Sequence, residues 1–357
     1  TYSWSPAGGT AATATGLPAG TYVVTVTDNI GCTAIATVVI TQPAPLGTWT
    51  GALGTGWHQA GNWLCNAVPN GIDVLIPGGL ANYPIISNGT ATVEDLTIGT
   101  GATITISNEV LEIAGSITNG GSIDGLYGEV VMNGGSAQTI PGSLFVSDQL
   151  KNLTIDNPAD VVLGGTLNVS GIVMTANGNL HSSGYLTLVS TAVQTALIDG
   201  SGAGDVLGNV TVQRYLPAGF GYKYVSSPFQ SATVNELSDD LNLAAAFPTF
   251  YSYDENLNSA GWVNYTTATN TLLPLSGYAA NFGPVSTPKT VDMTGVVNNG
   301  GVSTGTIYNR NRTFTQGFNL IGNPYPSPID WDAAAGWSRV NVDDAVYYFD
   351  AGTTDQY

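Results

Sequence analysis

Val93-Glu94-Asp95-Leu96-Thr97-Ile98 recurs as Leu150-Lys151-Asn152-Leu153-Thr154-Ile155 and again as Leu207-Gly208-Asn209-Val210-Thr211-Val212, each copy 57 residues after the last. In each copy aliphatic residues alternate with polar ones, the period of a strand with one buried face. Flanking residues keep nearly the same spacing. Leu111, Ile113, Gly115 and Ile117 align with Leu167, Val169, Gly171 and Val173 at an offset of 56, and Gln138-Thr139 aligns with Gln194-Thr195 at the same offset. Short strands at a fixed period, separated by Gly and Asn turns, are the pattern of a stacked-repeat architecture. A β-solenoid turn takes about twenty residues, so one unit is expected to hold about three turns. The expected fold over residues 46–212 is a right-handed parallel β-solenoid. A β-sandwich of similar hairpins is the alternative.

A solenoid needs its open end covered, because an uncovered turn leaves edge N–H and C=O groups unpaired. Trp49, Trp57 and Trp63 precede the first repeat and are bulky enough to plug it. Upstream, Thr1–Pro6 reads as a strand, Gly20–Asp28 alternates, Asp28-Asn29-Ile30-Gly31 signals a turn, and Ala34–Thr41 follows as a further strand. Two or three strands are too few for an independent sandwich. Residues 1–45 are therefore expected to be part of an Ig-like module and its linker, Gln42-Pro43-Ala44-Pro45, with the rest of that module further upstream. Residues 213–357 are richer in aromatics and Pro and are expected to form a jelly-roll-like β-sandwich. Asn235–Phe247 and Asp330–Trp337 are its two candidate helices, both short. The class is all-β.

Composition narrows function. The 357 residues carry 7 Lys and Arg against 25 Asp and Glu, a formal charge of -18, and only 9% of residues are charged. The strong helix formers that usually cover helical surfaces are scarce. Nucleic acid is excluded as a partner, because phosphate neutralisation needs clustered cations. No run of apolar residues is long enough to span a membrane, so no membrane insertion is expected.

Three segments resemble known bacterial surface proteins. Tyr2-Ser3-Trp4-Ser5, Gly16-Leu17-Pro18-Ala19-Gly20-Thr21-Tyr22, Val24-Thr25-Val26-Thr27-Asp28 and Gly31-Cys32 resemble the Ig-like repeat of the giant gliding-motility adhesins of Bacteroidetes. The Trp-rich entry, with Val68-Pro69-Asn70 and Asp73-Val74-Leu75-Ile76-Pro77, resembles the start of secreted Bacteroidetes β-solenoids. Tyr224-Val225-Ser226-Ser227-Pro228 and Asn319-Leu320-Ile321-Gly322-Asn323-Pro324-Tyr325-Pro326 resemble the β-sandwich that precedes the sorting domain of type IX secretion cargo. The resemblance implies an extracellular, cell-surface adhesin or filament segment. It also implies that type IX secretion machinery is met through a C-terminal sorting domain this chain lacks. Surface polysaccharide and other copies of the chain are the expected partners.

Chemistry-bearing constellations are sparse. His58 and His181 lie in different elements, without the ordered Cys or carboxylate help a zinc site needs. No G-x-S-x-G elbow occurs. Asp95, Asp124, Asp156, Asp160, Asp199 and Asp205 sit in the solenoid, mostly at turns, where Asp bonds its own backbone. Glycoside cleavage needs two carboxylates at a set separation, one with a raised pKa. No catalytic residues are therefore assigned, and the chain is expected not to be an enzyme. A carbohydrate-binding module or a polysaccharide-degrading solenoid is the alternative. No motif requires a cofactor. A structural Ca²⁺ is the candidate ion, with Asp330, Asp332, Asp343 and Asp344 as oxygen donors. Cys32 and Cys65 are the candidate disulfide in an exported protein, although Cys32 has an upstream cysteine as an alternative partner. Trp262, Tyr265, Trp331 and Trp337 are the candidate ligand platform, with a structural role in the core as the competing reading.

Overall fold

A computed structural model describes residues 1–40, 47–218, 221–258, 261–283, 287–313, 315–343 and 345–347. The fold is all-β, and a solenoid of about 7 turns forms its centre. Three columns of parallel strands define its three faces, visited in fixed order on every turn. On face one, Ala91, Leu111, Val130, Leu153, Val173 and Ile198 stack in register. Face two carries Val74, Leu96 and Ile117, then Gln138, Val161, Leu180 and Val206. Face three carries Ile104, Ile123 and Phe145, then Leu167, Leu186 and Val210. Nearly all of these aliphatics are buried and meet along the axis as one core. Neighbouring strands lie about 4.8 Å apart, so the stack is roughly 30 Å long.

The sequence repeat does not hold three turns. Leu96 lies on face two, its copy Leu153 on face one, and the next copy Val210 on face three. Each 57-residue step passes eight faces, which is two and two-thirds turns. The repeated unit is therefore a corner, and each copy builds a different corner of the triangle. The geometry recurs although the face does not. Asp95 Oδ1 accepts the Ser116 backbone N–H at 2.6 Å. Its equivalent Asn152 Oδ1 accepts the Ile172 N–H at 2.9 Å. Gly115 and Gly171 precede those donors, and a Cβ there would lie 2.4 Å from Asp95 Oδ1 and 2.2 Å from Asn152 Oδ1 respectively. The aligned glutamines also act alike. Gln138 Nε2 donates to Ile113 O and Gly115 O, and Gln194 Nε2 donates to Ser170 O at the equivalent corner.

Both ends of the stack are covered. At the first turn, Trp49, Trp57 and Trp63 are buried and meet edge to face, with centroids 4.9 Å apart for Trp49–Trp63 and 4.7 Å for Trp57–Trp63. Two single turns of 3-10 helix, Ala60–Asn62 and Leu64–Asn66, carry the chain through this cap. At the far end, strand Asn209–Leu216 pairs antiparallel with Lys289–Val296, and Ile198 N–H donates to Pro326 O. These contacts occupy edges that would otherwise template aggregation. The strand 209–216 crosses the expected domain boundary at 212, so solenoid and C-terminal region share a continuous ladder there.

The N-terminal strands Tyr2–Ser5, Gly20–Thr27 and Thr33–Ile40 form one antiparallel sheet. The expected linker 42–45 lies outside the described residues. In the C-terminal region, Lys223–Val225, Tyr278–Ala280, Phe250–Tyr253 and Trp262–Asn264 form a four-stranded antiparallel sheet in that spatial order. The two expected helices reduce to turns. Val234–Leu237 is a single 3-10 turn, and 330–337 is turn and bend, with Asp330 Oδ1 accepting Asp332 N–H instead of a helix starting there. Among the described residues no helix is long and apolar enough to cross a membrane.

Candidate functional site

The four-stranded sheet sorts its aromatics by the two-residue period of a strand. Phe250 and Tyr278 point inward and stack at 5.3 Å, with Ala280 beside them, all buried. The opposite parity carries Tyr224 and Tyr251, both in register with Ala279, and Tyr253 in register with Trp262. Ala279 is the small central floor between larger rings. Tyr224 and Trp262 lie nearly parallel, 28° apart with centroids 6.3 Å apart. Tyr251 and Tyr253 meet Trp262 edge-on at 6.5 Å and 5.1 Å. Tyr222 meets Tyr251 at 5.8 Å. Phe247 adds a wall from the preceding loop. Tyr222, Tyr224, Phe247, Tyr251, Trp262 and Ala279 line a cavity of about 470 Å³. Phe247 is 70%, Tyr224 44% and Trp262 42% exposed. Exposed aromatics gathered in one concavity mark a binding surface more often than isolated ones do.

The groove is fixed from beneath. Tyr253 Oη donates to Glu255 Oε2 at 2.7 Å, and the fully buried Glu255 pairs with Arg312 at 2.9 Å. Burial pushes the Glu255 carboxyl up, but hydrogen bonds from Tyr253, the Arg310 backbone and Thr315, with the Arg312 charge, outweigh it and hold the group below the usual carboxylate range. Tyr222 Oη donates to Pro248 O at 3.1 Å. Burial raises the phenols of Tyr222, Tyr224 and Tyr253. The Tyr222 and Tyr253 hydroxyls are thus committed to acceptors of the chain itself. None of its six lining residues is charged.

A second cavity, about 720 Å³, lies between the last solenoid turns and the C-terminal region, with Asp199, Asp205, Asn298 and Tyr325 among its lining. Asp199 Oδ1 caps its own turn by accepting Ser201 N–H at 2.8 Å, and Ser201 holds its pKa down. A glycosidase acid needs the opposite shift. Asp292 is raised, by burial and the charges of Asp239 and Asp240, but it lines neither cavity.

Of the platform residues expected from sequence, Trp262 alone is in the groove. Tyr265 lies 5.6 Å from the buried Tyr278 and donates to Thr271 O. Trp331 and Trp337 contact each other at 4.8 Å, with Arg339 over Trp331 at 5.0 Å. The structure adds Tyr222, Tyr224, Phe247 and Tyr251 to the groove, and Tyr253, which shares a strand face with Tyr251, packs edge-on against Trp262. Cys32 and Cys65 are both exposed and are not joined to each other. Cys32 sits in the hairpin turn, where Asp28 Oδ1 accepts both Ile30 and Cys32 N–H, and Cys65 sits in the Trp cap. Asp330 and Asp332 share a local turn, Asp343 is exposed, and Asp344 lies outside the described residues. Among the described residues no three His, Cys, Asp or Glu side chains gather as a metal site. His58 is exposed on Thr90 O, whereas His181, expected in an exposed turn, is half-buried and bonds Asp160 at 2.9 Å.

Residues 48–124 and 127–357 match a family described as a domain of unknown function, DUF8693. The chain belongs to this family. The match takes in nearly the whole solenoid and the aromatic sheet, and excludes the N-terminal three-stranded sheet. No curated protein and no solved structure matches the chain.

Proposed function

We propose that the chain is a stalk segment of a secreted, non-enzymatic bacterial surface adhesin, extracellular and held at the cell surface, which presents a binding face away from the cell. One observation carries the reading. The parallel stack runs from the Trp cap into strand 209–216, which pairs directly with 289–296 of the region bearing the exposed aromatic groove. The ladder fixes strand 289–296 stiffly, and the groove's separate sheet packs its buried face on the same hydrophobic core, so the groove is held on the end of a rod and not on a tether. In this reading the N-terminal sheet is the rear of an Ig-like spacer of the gliding-motility type. The solenoid is right-handed, and the terminal region is the β-sandwich preceding a type IX sorting domain. Asp199, turned onto its own backbone and held low by Ser201, fits adhesion better than cleavage of sugar. Deletion of the gene is expected to reduce surface attachment, spreading or surface filaments. Unchanged attachment, spreading and filaments would overturn the proposal.

A further inference from the structure

The aromatic groove has the chemistry of a neutral-glycan site. Resting on the adhesive reading and naming its ligand, we infer that Tyr224, Tyr251, Trp262 and Phe247 bind a neutral polysaccharide by stacking on its sugar rings. Four observations carry this. The near-parallel Tyr224 and Trp262 rings offer broad flat faces, and a pyranose offers C–H faces that pack on an aromatic π-surface. The cavity of about 470 Å³ is within the size range of small-molecule sites and large enough for short sugar stretches. No charged residue lines it, and the chain's charge of -18 repels uronic-acid polymers and anionic lipid. Finally, the groove continues: Phe247 and the adjoining Pro248 lead into a further concavity of about 400 Å³ lined by Asn242, Thr249, Asn281 and Phe282, whose amide and hydroxyl side chains suit sugar hydroxyls, and by Asp240, whose charge is paired with Lys289. An extended path of rings followed by amides fits a chain of sugars better than a single one.

A proline-rich peptide is the competing occupant, because such peptides also dock in aromatic-lined grooves. The amide and hydroxyl groups of Asn242, Thr249 and Asn281 beyond Phe247 favour a chain of sugars over it.

The test is affinity electrophoresis and titration calorimetry of the purified full chain against a soluble β-glucan, a galactomannan, alginate and a proline-rich peptide. At least one neutral polysaccharide is expected to retard the chain, with alginate inert. Trp262→Ala and Tyr224→Ala should each weaken that binding tenfold or more, Trp262→Phe should keep most of it, and Trp331→Ala should leave it unchanged. Circular dichroism confirms that the variants fold. No retardation by either neutral polymer, preference for alginate, binding of the peptide alone, or undiminished binding by Trp262→Ala would each overturn the inference. If Trp262→Ala loses glycan binding while gene deletion leaves attachment intact, the inference stands and the adhesive proposal falls. If deletion abolishes attachment and Trp262→Ala binds normally, the reverse holds.

Discussion

Gly171→Ala should destabilise the solenoid as much as Gly115→Ala, although the two glycines lie on different corners. The added methyl would sit 2.2 Å from Asn152 Oδ1 and 2.8 Å from Lys151 O at one corner, and 2.4 Å from Asp95 Oδ1 and 2.9 Å from Glu94 O at the other. Neither distance is tolerable, so the corner side chain must leave. Its departure frees Ile172 N–H or Ser116 N–H, both exposed, and losing such a hydrogen bond to water costs about 0.5–1.5 kcal/mol. The residual backbone contact forces a shift costing a further 1–3 kcal/mol or so, as overpacking generally does. Each variant should therefore lose about 1.5–4.5 kcal/mol, or roughly 3–18 °C in melting temperature for a unit of this size. Gly135→Ala is the control, because a Cβ there meets nothing within 4 Å, and its change should stay within about 0.5 kcal/mol. Asn152→Ala removes the main obstruction. In a double-mutant cycle with Gly171→Ala, the combined loss should be smaller than the sum of the single losses. Thermal and urea unfolding followed by circular dichroism provide the values. If Gly115→Ala and Gly171→Ala melt like Gly135→Ala, or if only one is damaging, the corner account is refuted.

Three further outcomes follow from the same structure. Trp63→Ala should cost about 3–5 kcal/mol, read from urea unfolding, because it removes the central ring of the buried cap triad. Acid should destabilise the protein: Asp95, held low chiefly by the Ser116 backbone N–H, Asp160, held low chiefly by the Asn179 backbone N–H, and Glu255 all have folded pKa values below their unfolded ones. Their stabilisation is present above the ordinary carboxylate range and is lost as pH falls through the folded values, so melting temperature should drop on acidification and less steeply in Asp95→Asn. Native protein should react with a thiol reagent at both Cys32 and Cys65, and reductant should leave its melting temperature unchanged.

The solenoid was legible because its signal is local: alternation at period two, Gly and Asn at turns, and the 57-residue recurrence. Its phase was not. Counting residues per turn cannot reveal that Leu96, Leu153 and Val210 fall on three different faces, since turn lengths vary with each loop. Along face one the steps Ala91, Leu111, Val130, Leu153, Val173 and Ile198 run 20, 19, 23, 20 and 25 residues. The groove was half legible. Trp262 stood out by type, but its neighbours come from strands joined by long loops, and which Tyr faces outward depends on strand register. Tyr265 and Tyr278 belong to the same composition yet turn to the core. Burial raises the Tyr278 phenol to about 12, which marks that side as the interior.

Attachment of intact cells to a surface in the presence of the purified chain tests the central claim most directly. A chain that is itself the adhesive stalk should compete for the surface and reduce attachment in a dose-dependent way, and the Trp262→Ala chain should fail to compete. Attachment unaffected by saturating wild-type chain would contradict the account.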